Sequence, residues 1–313
     1  MATTSSAPPA PTVRPVAAER STRRRRPGET SGLLFVLPFM IVFAVFMVWP
    51  VFAGLVNSFF NKSLAGTPSE FLGLANWREL FGDPAVWKSL GNTALFTVLS
   101  TPLLVIVGLV MALLAHRSRG LGWLLRFSYF APFVLPATVV SLIWVWLYQP
   151  EFGLFNSWIE ALGGTAVPWL TTEGVAMASV VVATTWWTVG FNFLLYLAAL
   201  QQIPGDLYEA SALDGASPRQ QLFHITLPQL RRTTGLIVVL QVLASLRVFD
   251  QIYLMTEGGP NSTTRPVLQY IYETGFTSFR LGYASAISYL LFVIILLLAV
   301  FQLRLTVRNR SEA

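Results

Sequence analysis

The sequence predicts an all-α integral membrane protein with six transmembrane helices, and two observations lead to that prediction. Hydrophobic residues make up 54% of the 313-residue chain and charged residues only 12%, whereas about 25% of the residues in a soluble domain are charged. The charges that do occur are separated by long apolar stretches. A helix of about 20 such residues can cross the hydrocarbon core of a bilayer, which is roughly 30 Å thick.

Five apolar stretches contain no charged residue, and each is predicted to be one span. They lie near residues 33–56, 92–115, 127–148, 175–200 and 281–303. A sixth span is predicted near residues 235–256, where Arg247 and Asp250 interrupt the stretch. The runs are continuous, whereas membrane β-strands alternate in polarity over about ten residues, so strands are a poor alternative.

The basic residues predict the orientation of the chain. Most of the 21 Lys and Arg residues precede the first span, follow the last, or lie in the second-to-third and fourth-to-fifth connections. Because Lys and Arg are enriched in cytoplasmic loops, we expect both termini to be cytoplasmic in a multi-pass protein of the inner or plasma membrane. The same charges favour contact with anionic membrane lipid and not with nucleic acid.

Residues 1–30 are expected to form a disordered, basic cytoplasmic tail, and residues 31–310 the transmembrane domain. The tail is rich in Pro, Ser, Thr and Ala and contains an Arg run at 23–26, a composition typical of disorder. An Arg run before an apolar stretch is also typical of a signal peptide. The stretch here is longer than the apolar region of a signal peptide, so we expect an uncleaved first helix.

Several kinds of chemistry have no support in the sequence. The chain has no Cys, which excludes disulfides and thiolate metal sites. It contains no G-x-x-x-x-G-K-[ST] phosphate-binding loop. His116 and His224 are isolated, and no span carries a pair of carboxylates placed for acid–base catalysis. We therefore expect no enzymatic activity and no cofactor on this chain, so ATP and Mg²⁺, if used, would bind a separate subunit.

The connection at residues 201–232 is the most informative segment. Asp206 with Glu209, and Ser217 with Gln220, have the spacing of helix-capping pairs. Small residues and Gly215 lie between them, and Pro228 is predicted to end the segment before the fifth span. The pattern predicts a short helix, a tight turn and a second helix outside the membrane. On these grounds alone the pair is either a plain interfacial structure, with Glu209 as a cap, or a docking surface.

The amino-acid sequence of this connection closely resembles the EAA loop of ABC importer permeases. The matching residues are Glu209, Ala210, Ser211, Ala212, Asp214, Gly215, Ala216 and Pro228. Ser211 replaces the usual second Ala and is also small. The resemblance implies that this loop is a coupling helix, which seats in a cleft of the ATP-hydrolysing subunit.

Other stretches resemble the first permease subunit of carbohydrate importers of the maltose and glycerol-3-phosphate type. They are residues 71–84, 247–260 and 282–286. The resemblance implies a subunit that forms the translocation pathway for a sugar, a related polyol or a glycerol phosphate. It also implies three kinds of partner: a second permease, ATP-hydrolysing subunits and an extracytoplasmic solute-binding protein.

Two sets of residues within the spans are candidates for the pathway. Arg247 and Asp250 are three apart, so on one helix they would share a face and could pair. Charged groups at bilayer depth usually line a cavity, so they form a gate or, if the fifth helix ends early, lie at the outer interface. The candidate solute contacts are Trp187, Asn192, Tyr196, Gln241, Ser288 and Tyr289, with Trp186 beside them. Such residues also serve as interface anchors and interhelical bonds.

Two rival functions remain open from the sequence. A secondary transporter or channel for a small polar solute would often use intramembrane acids, and Asp250 is the one candidate within the predicted spans. A membrane-embedded enzyme acting on lipid-linked sugar would need a polar catalytic cluster at the interface, and the sequence shows none.

Overall fold

The computed structural model describes residues 29–66, 68–117 and 122–311, and most of these residues are helical. Most of the predicted tail, residues 1–28, lies outside the described residues. The chain divides at Phe52 into two compact units. The first unit contains helix α1 (Glu29–Phe43), a π-helical turn (Ala44–Val48) and the start of helix α2 (Trp49–Asn57).

The second unit begins at Ala53 and contains the remaining elements. A two-residue hairpin pairs β1 (Phe60–Asn61) with β2 (Glu70–Phe71). The helices that follow are α3 (Ala75–Gly82), α4 (Pro84–Arg117), α5 (Gly122–Val134), α6 (Ala137–Leu147), α7 (Leu154–Ala161), α8 (Val175–Leu200), α9 (Gly205–Leu213), α10 (Pro218–Gln221), α11 (Leu227–Ser245), α12 (Asp250–Thr256), α13 (Val267–Tyr272) and α14 (Leu281–Ser311). Further π-helical turns lie at Leu222–Thr226 and Glu273–Thr277.

Four helical stretches among the described residues are long and apolar enough to cross a membrane: Phe35–Asn57, Pro84–His116, Val175–Leu200 and Leu281–Gln302. Two bent helix pairs raise that number to six if each pair forms one span. The all-α membrane class is thereby confirmed. The predicted stretches near 33–56, 175–200 and 281–303 agree with three of these four helical stretches to within two residues at each end, and the stretch near 92–115 lies inside the longer Pro84–His116.

The predicted third span, near 127–148, is not one straight helix. Helices α5 and α6 meet at an angle of 99°, and Pro136, the residue just before α6, has an extended conformation. The break exposes the carbonyl group of Leu135, which accepts a hydrogen bond of 3.1 Å from the indole N–H of Trp187. This bond satisfies a backbone group that would be costly to leave unpaired in lipid.

Helix α8 lies at the centre of the second unit, against α4, α5 and α11. Its Gly190 touches α5 so closely that a Cβ atom would lie 2.5 Å from the Tyr129 carbonyl oxygen. Gly108 of α4 makes a similar approach to the α8 residues Asn192 and Phe193. In a bilayer the hydrophobic effect does not drive helices together, so helix association depends on close packing. Small residues at helix crossings allow that close packing.

Candidate functional site

The connection between α8 and α11 folds as the sequence predicts, into two helices joined by a tight turn. Helix α9 ends in a Schellman motif, because the Ala216 N–H bonds the Ser211 carbonyl at 2.9 Å and the Gly215 N–H bonds the Ala212 carbonyl at 3.1 Å. Gly215 has a φ of +80°, a left-handed conformation that favours glycine. The left-handed backbone of this turn therefore explains why residue 215 is a glycine.

The second helix of this connection begins at a capping box. The Ser217 hydroxyl accepts a bond of 3.4 Å from the Gln220 backbone N–H, and the Ser217 N–H donates to the Gln220 side chain at 2.7 Å. The prediction that Asp206 caps α9 is wrong. Pro204 occupies the capping position without a side-chain bond, and Asp206 lies inside the first turn, where its charge still favours the positive end of the helix dipole.

Pro228 does not end the segment, contrary to the prediction. It is the second residue of α11, and the helix runs from Pro218 to Ser245 without a sharp bend. The π-helical turn at Leu222–Thr226 immediately precedes α11, which begins at Leu227. A wider turn there makes room for a proline ring, which would crowd the preceding turn of a regular α-helix.

Side-chain hydrogen bonds tie α9 to the helix that follows. The Gln221 amide donates to the Tyr208 carbonyl at 3.2 Å and to the Ser211 hydroxyl at 2.9 Å. The Tyr208 hydroxyl lies 2.9 Å from that of Thr226, which is 5% exposed. Ser211, the residue that departs from the resembled motif, is thus one of the bonded groups. Polar side-chain contacts therefore join the two helices.

The outward surface of the same connection is apolar. Leu213 is 91% exposed and Phe223 62% exposed, and Glu209 and Ala212 are exposed beside them in the chain. Exposed apolar side chains on a rigid helix pair are typical of an interaction site. The arrangement favours a docking surface over a plain interfacial pair.

Arg247 and Asp250 do not share a helix face. Helix α11 ends at Ser245, α12 begins at Asp250 after a bend of 51°, and Arg247 lies in the break. Both side chains are exposed, and the ion pairs among the described residues do not include them. The pairing predicted from their spacing is wrong, because that spacing applies only within a continuous helix.

The candidate solute contacts fall into different environments. Asn192 is 2% exposed and donates to Gln241 at 3.3 Å, and the Gln241 amide donates in turn to the Ser245 hydroxyl at 3.3 Å. Ser245 lies 3.2 Å from Ser100 of α4, so a chain of polar groups joins α8, α11 and α4. Tyr196 is fully buried, and its hydroxyl donates to Thr234 at 3.2 Å.

The remaining candidates lie elsewhere. Trp187 supports the α5–α6 break, and Ser288 donates back to the Ala284 carbonyl of its own helix at 2.8 Å. Tyr289 is half-buried, with its ring 6.0 Å from that of Phe292. Trp186 lines an apolar groove of about 450 Å³ between α4, α5, α6 and α8. The structure therefore brings together Asn192 and Gln241 but not the whole predicted set.

Sequence reasoning missed a polar cluster between α3 and α4. Asp83 accepts hydrogen bonds from the hydroxyls of Tyr270 at 2.6 Å and Tyr283 at 2.7 Å, and from the Ala85 N–H at 2.8 Å. Burial by itself raises the pKa of the Asp83 carboxyl, but these bonds outweigh it and the pKa lies below its usual 3.8. The tyrosines are 187 and 200 residues away along the chain, so no local pattern indicates the contact.

An aromatic cluster beside the α11–α12 break was also missed. It consists of Phe249, Tyr253, Tyr272 and Phe276, whose neighbouring rings lie 5.3 to 5.8 Å apart. The i, i+4 spacing within each pair, 249 with 253 and 272 with 276, is a signal that could have indicated it. Among the described residues, no group of three His, Cys, Asp or Glu could hold a metal ion.

Comparison with known proteins identifies the family. Residues 104–310 match the family described as "Binding-protein-dependent transport system inner membrane component". The Probable ABC transporter permease protein YurN of Bacillus subtilis is 35% identical, over 89% of this chain and 97% of the relative. The sulfoquinovosyl glycerol permease SmoG of Agrobacterium fabrum is 34% identical, over 88% and 89%.

A third relative and a solved structure agree with that family. The trehalose/maltose permease MalF of Thermococcus litoralis is 35% identical, over 87% of this chain and 92% of the relative. A chain of a bacterial ABC transporter that imports the acidic polysaccharide alginate superposes with a TM-score of 0.79 at 25% identity, covering 90% of this chain and 97% of that one. The present chain therefore belongs to the binding-protein-dependent inner membrane components, the permease subunits of ABC importers.

Proposed function

We propose that this permease forms, with a second permease, the translocation pathway for a carbohydrate that an extracytoplasmic binding protein delivers. Relatives named for trehalose/maltose and for sulfoquinovosyl glycerol support a sugar or a sugar-linked polyol as the solute. The half-buried amide of Gln241, in the middle of the polar chain from Asn192 to Ser100, is a group of the kind that binds sugars. ATP and Mg²⁺ are assigned to separate ATP-hydrolysing subunits.

One observation carries the coupling part of this proposal. Glu209 to Phe223 form a hydrogen-bonded helix pair whose outer surface presents Leu213 and Phe223 to a partner. A rigid helix pair can transmit closure of the ATP-hydrolysing subunits as a rigid-body movement. The loop and both termini are assigned to the cytoplasmic side, as the basic residues predict.

The subunit composition is tested by gentle affinity purification of the chain from its native membranes. An ATPase chain, a second permease and a solute-binding protein are the expected partners. Recovery of this chain alone, stable and monodisperse, would contradict the importer assembly and favour the secondary-transporter alternative. That alternative also predicts uptake in vesicles depleted of ATP.

The coupling assignment is tested by Gly215→Arg in the reconstituted complex. An arginine at this exposed, left-handed position adds bulk to the docking surface, so we expect the complex to assemble but to lose solute-stimulated ATP hydrolysis. Gly163→Arg is the matched control, because Gly163 has nearly the same φ, +82°, and equally open surroundings between α7 and α8. Normal stimulation in Gly215→Arg, or equal loss in both variants, would remove the assignment.

A further inference from the structure

The aromatic cluster beside the α11–α12 break has the geometry of a continuous ring surface. Phe249 and Tyr253 stack at 5.3 Å with their planes 19° apart, and Tyr272 and Phe276 stack at 5.5 Å with planes 29° apart. The two pairs meet where the Tyr272 ring lies 5.6 Å from Phe249 and 5.8 Å from Tyr253. Four side chains from two separate segments thus form one surface.

Part of this surface is open. Phe276 is 57% exposed and Tyr272 39% exposed, while Phe249 and Tyr253 are half-buried. The more buried pair therefore anchors the cluster, and the more exposed pair leaves ring area that no other described residue covers. Two of the four rings carry phenol hydroxyls, which can bond to a polar ligand at the edge of the surface.

The surroundings argue against contact with lipid chains. The exposed Arg247 and Asp250 lie on either side of Phe249 in the chain, and exposed Thr277 and Ser278 follow Phe276. Charged side chains facing hydrocarbon are strongly disfavoured. The surface is therefore better suited to a ligand that is itself both apolar and polar.

A pyranose ring is such a ligand, because one face presents C–H groups and the rim presents hydroxyls. The C–H face packs on aromatic rings, and vicinal hydroxyls bond well to the forked groups of Arg and Asp side chains. We propose that Phe249, Tyr253, Tyr272 and Phe276 form a carbohydrate-stacking site in the translocation pathway, with Arg247 and Asp250 as its polar rim. This inference rests on the proposed carbohydrate function and adds a site to it.

The test uses the complete importer, purified from its native membranes and reconstituted in proteoliposomes with its binding protein. Uptake of radiolabelled maltose, trehalose and lactose is measured together with ATP hydrolysis. The double variant Tyr272→Ala with Phe276→Ala is expected to lower the ratio of sugar taken up to ATP hydrolysed about fivefold, which corresponds to the loss of one aromatic stacking contact. Tyr272→Phe should keep most of the ratio, because the ring remains.

Phe127→Ala is the matched control. Phe127 is 66% exposed on α5, outside the cluster, so removing its ring should leave uptake and hydrolysis unchanged. Saturation-transfer NMR on the complex purified without its binding protein gives a direct readout. Transfer from aromatic protons to maltose is expected in the unmodified complex and in Phe127→Ala, but not in the double variant.

The outcomes separate this inference from the proposed function. If the unmodified complex hydrolyses ATP but takes up and binds none of the sugars, the carbohydrate function is wrong, and the stacking site with it. If the unmodified complex imports a sugar and the double variant behaves identically, only the stacking site is wrong. If the double variant loses the second permease on purification, the surface is a subunit interface, which also overturns the site.

Discussion

Gly282 shows how a single residue determines the packing of an outer segment. It is the second residue of α14, and its N–H donates to the Lys62 carbonyl at 3.1 Å. A Cβ atom here would fall on the Phe60 carbonyl oxygen, well inside van der Waals contact. The hairpin can therefore reach α14 only because residue 282 has no side chain.

Gly282→Ala is expected to destabilise the folded chain by about 1–3 kcal/mol, the usual cost of forcing an extra methyl group into a packed contact. Thermal unfolding in detergent, followed by tryptophan fluorescence, would measure it. Gly91→Ala is the control, because nothing lies within 4 Å of that Cβ position in α4 and alanine favours a helix. Equal melting temperatures for both variants would contradict the contact.

The Asp83 carboxylate predicts how stability depends on pH. Its pKa is lower in the folded chain than the usual 3.8, so the folded state favours the charged form. The stabilisation is therefore complete at neutral pH and is lost as pH falls below about 4, through the folded-state pKa. Asp83→Asn should unfold at a lower temperature than the unmodified chain at pH 7.

At more acidic pH the two proteins should converge, because protonation then weakens the same hydrogen bonds. Melting temperatures from pH 7 down to pH 2, well below the usual pKa of 3.8, provide the comparison. A difference between the proteins that stays constant across this range would show that the charge of Asp83 contributes nothing.

At the scale of elements, Gln221 makes two of the side-chain hydrogen bonds that join α9 to the helix after it. Its amide donates to both the Tyr208 carbonyl and the Ser211 hydroxyl. Gln221→Ala should leave the complex assembled but reduce solute-stimulated ATP hydrolysis, because a looser helix pair transmits less movement. Gln229→Ala, at an exposed position of α11, is the control that should retain full stimulation.

At the scale of the whole molecule, the two bent helix pairs decide how many times the chain crosses the bilayer. The chain contains no Cys, so single cysteines can report the side directly. Gly163→Cys and Ser278→Cys should react with a membrane-impermeant maleimide in intact cells, whereas Gln202→Cys should react only after permeabilisation. Labelling of Gln202→Cys from outside would contradict the predicted orientation.

The sequence alone determined the membrane class, most of the span positions and the two-helix form of the connection between α8 and α11. Each of these follows from local chemistry, since hydropathy decides which segments enter lipid and capping residues such as Ser217 and Gly215 fix nearby backbone. Only the tertiary structure showed the sharp α5–α6 bend, the separation of Arg247 from Asp250, and the contacts of Asp83. These features depend on residues that are distant in the chain. Trp187 bonds the Leu135 carbonyl and Tyr283 bonds Asp83, and the spacing of residues within one segment does not predict such contacts.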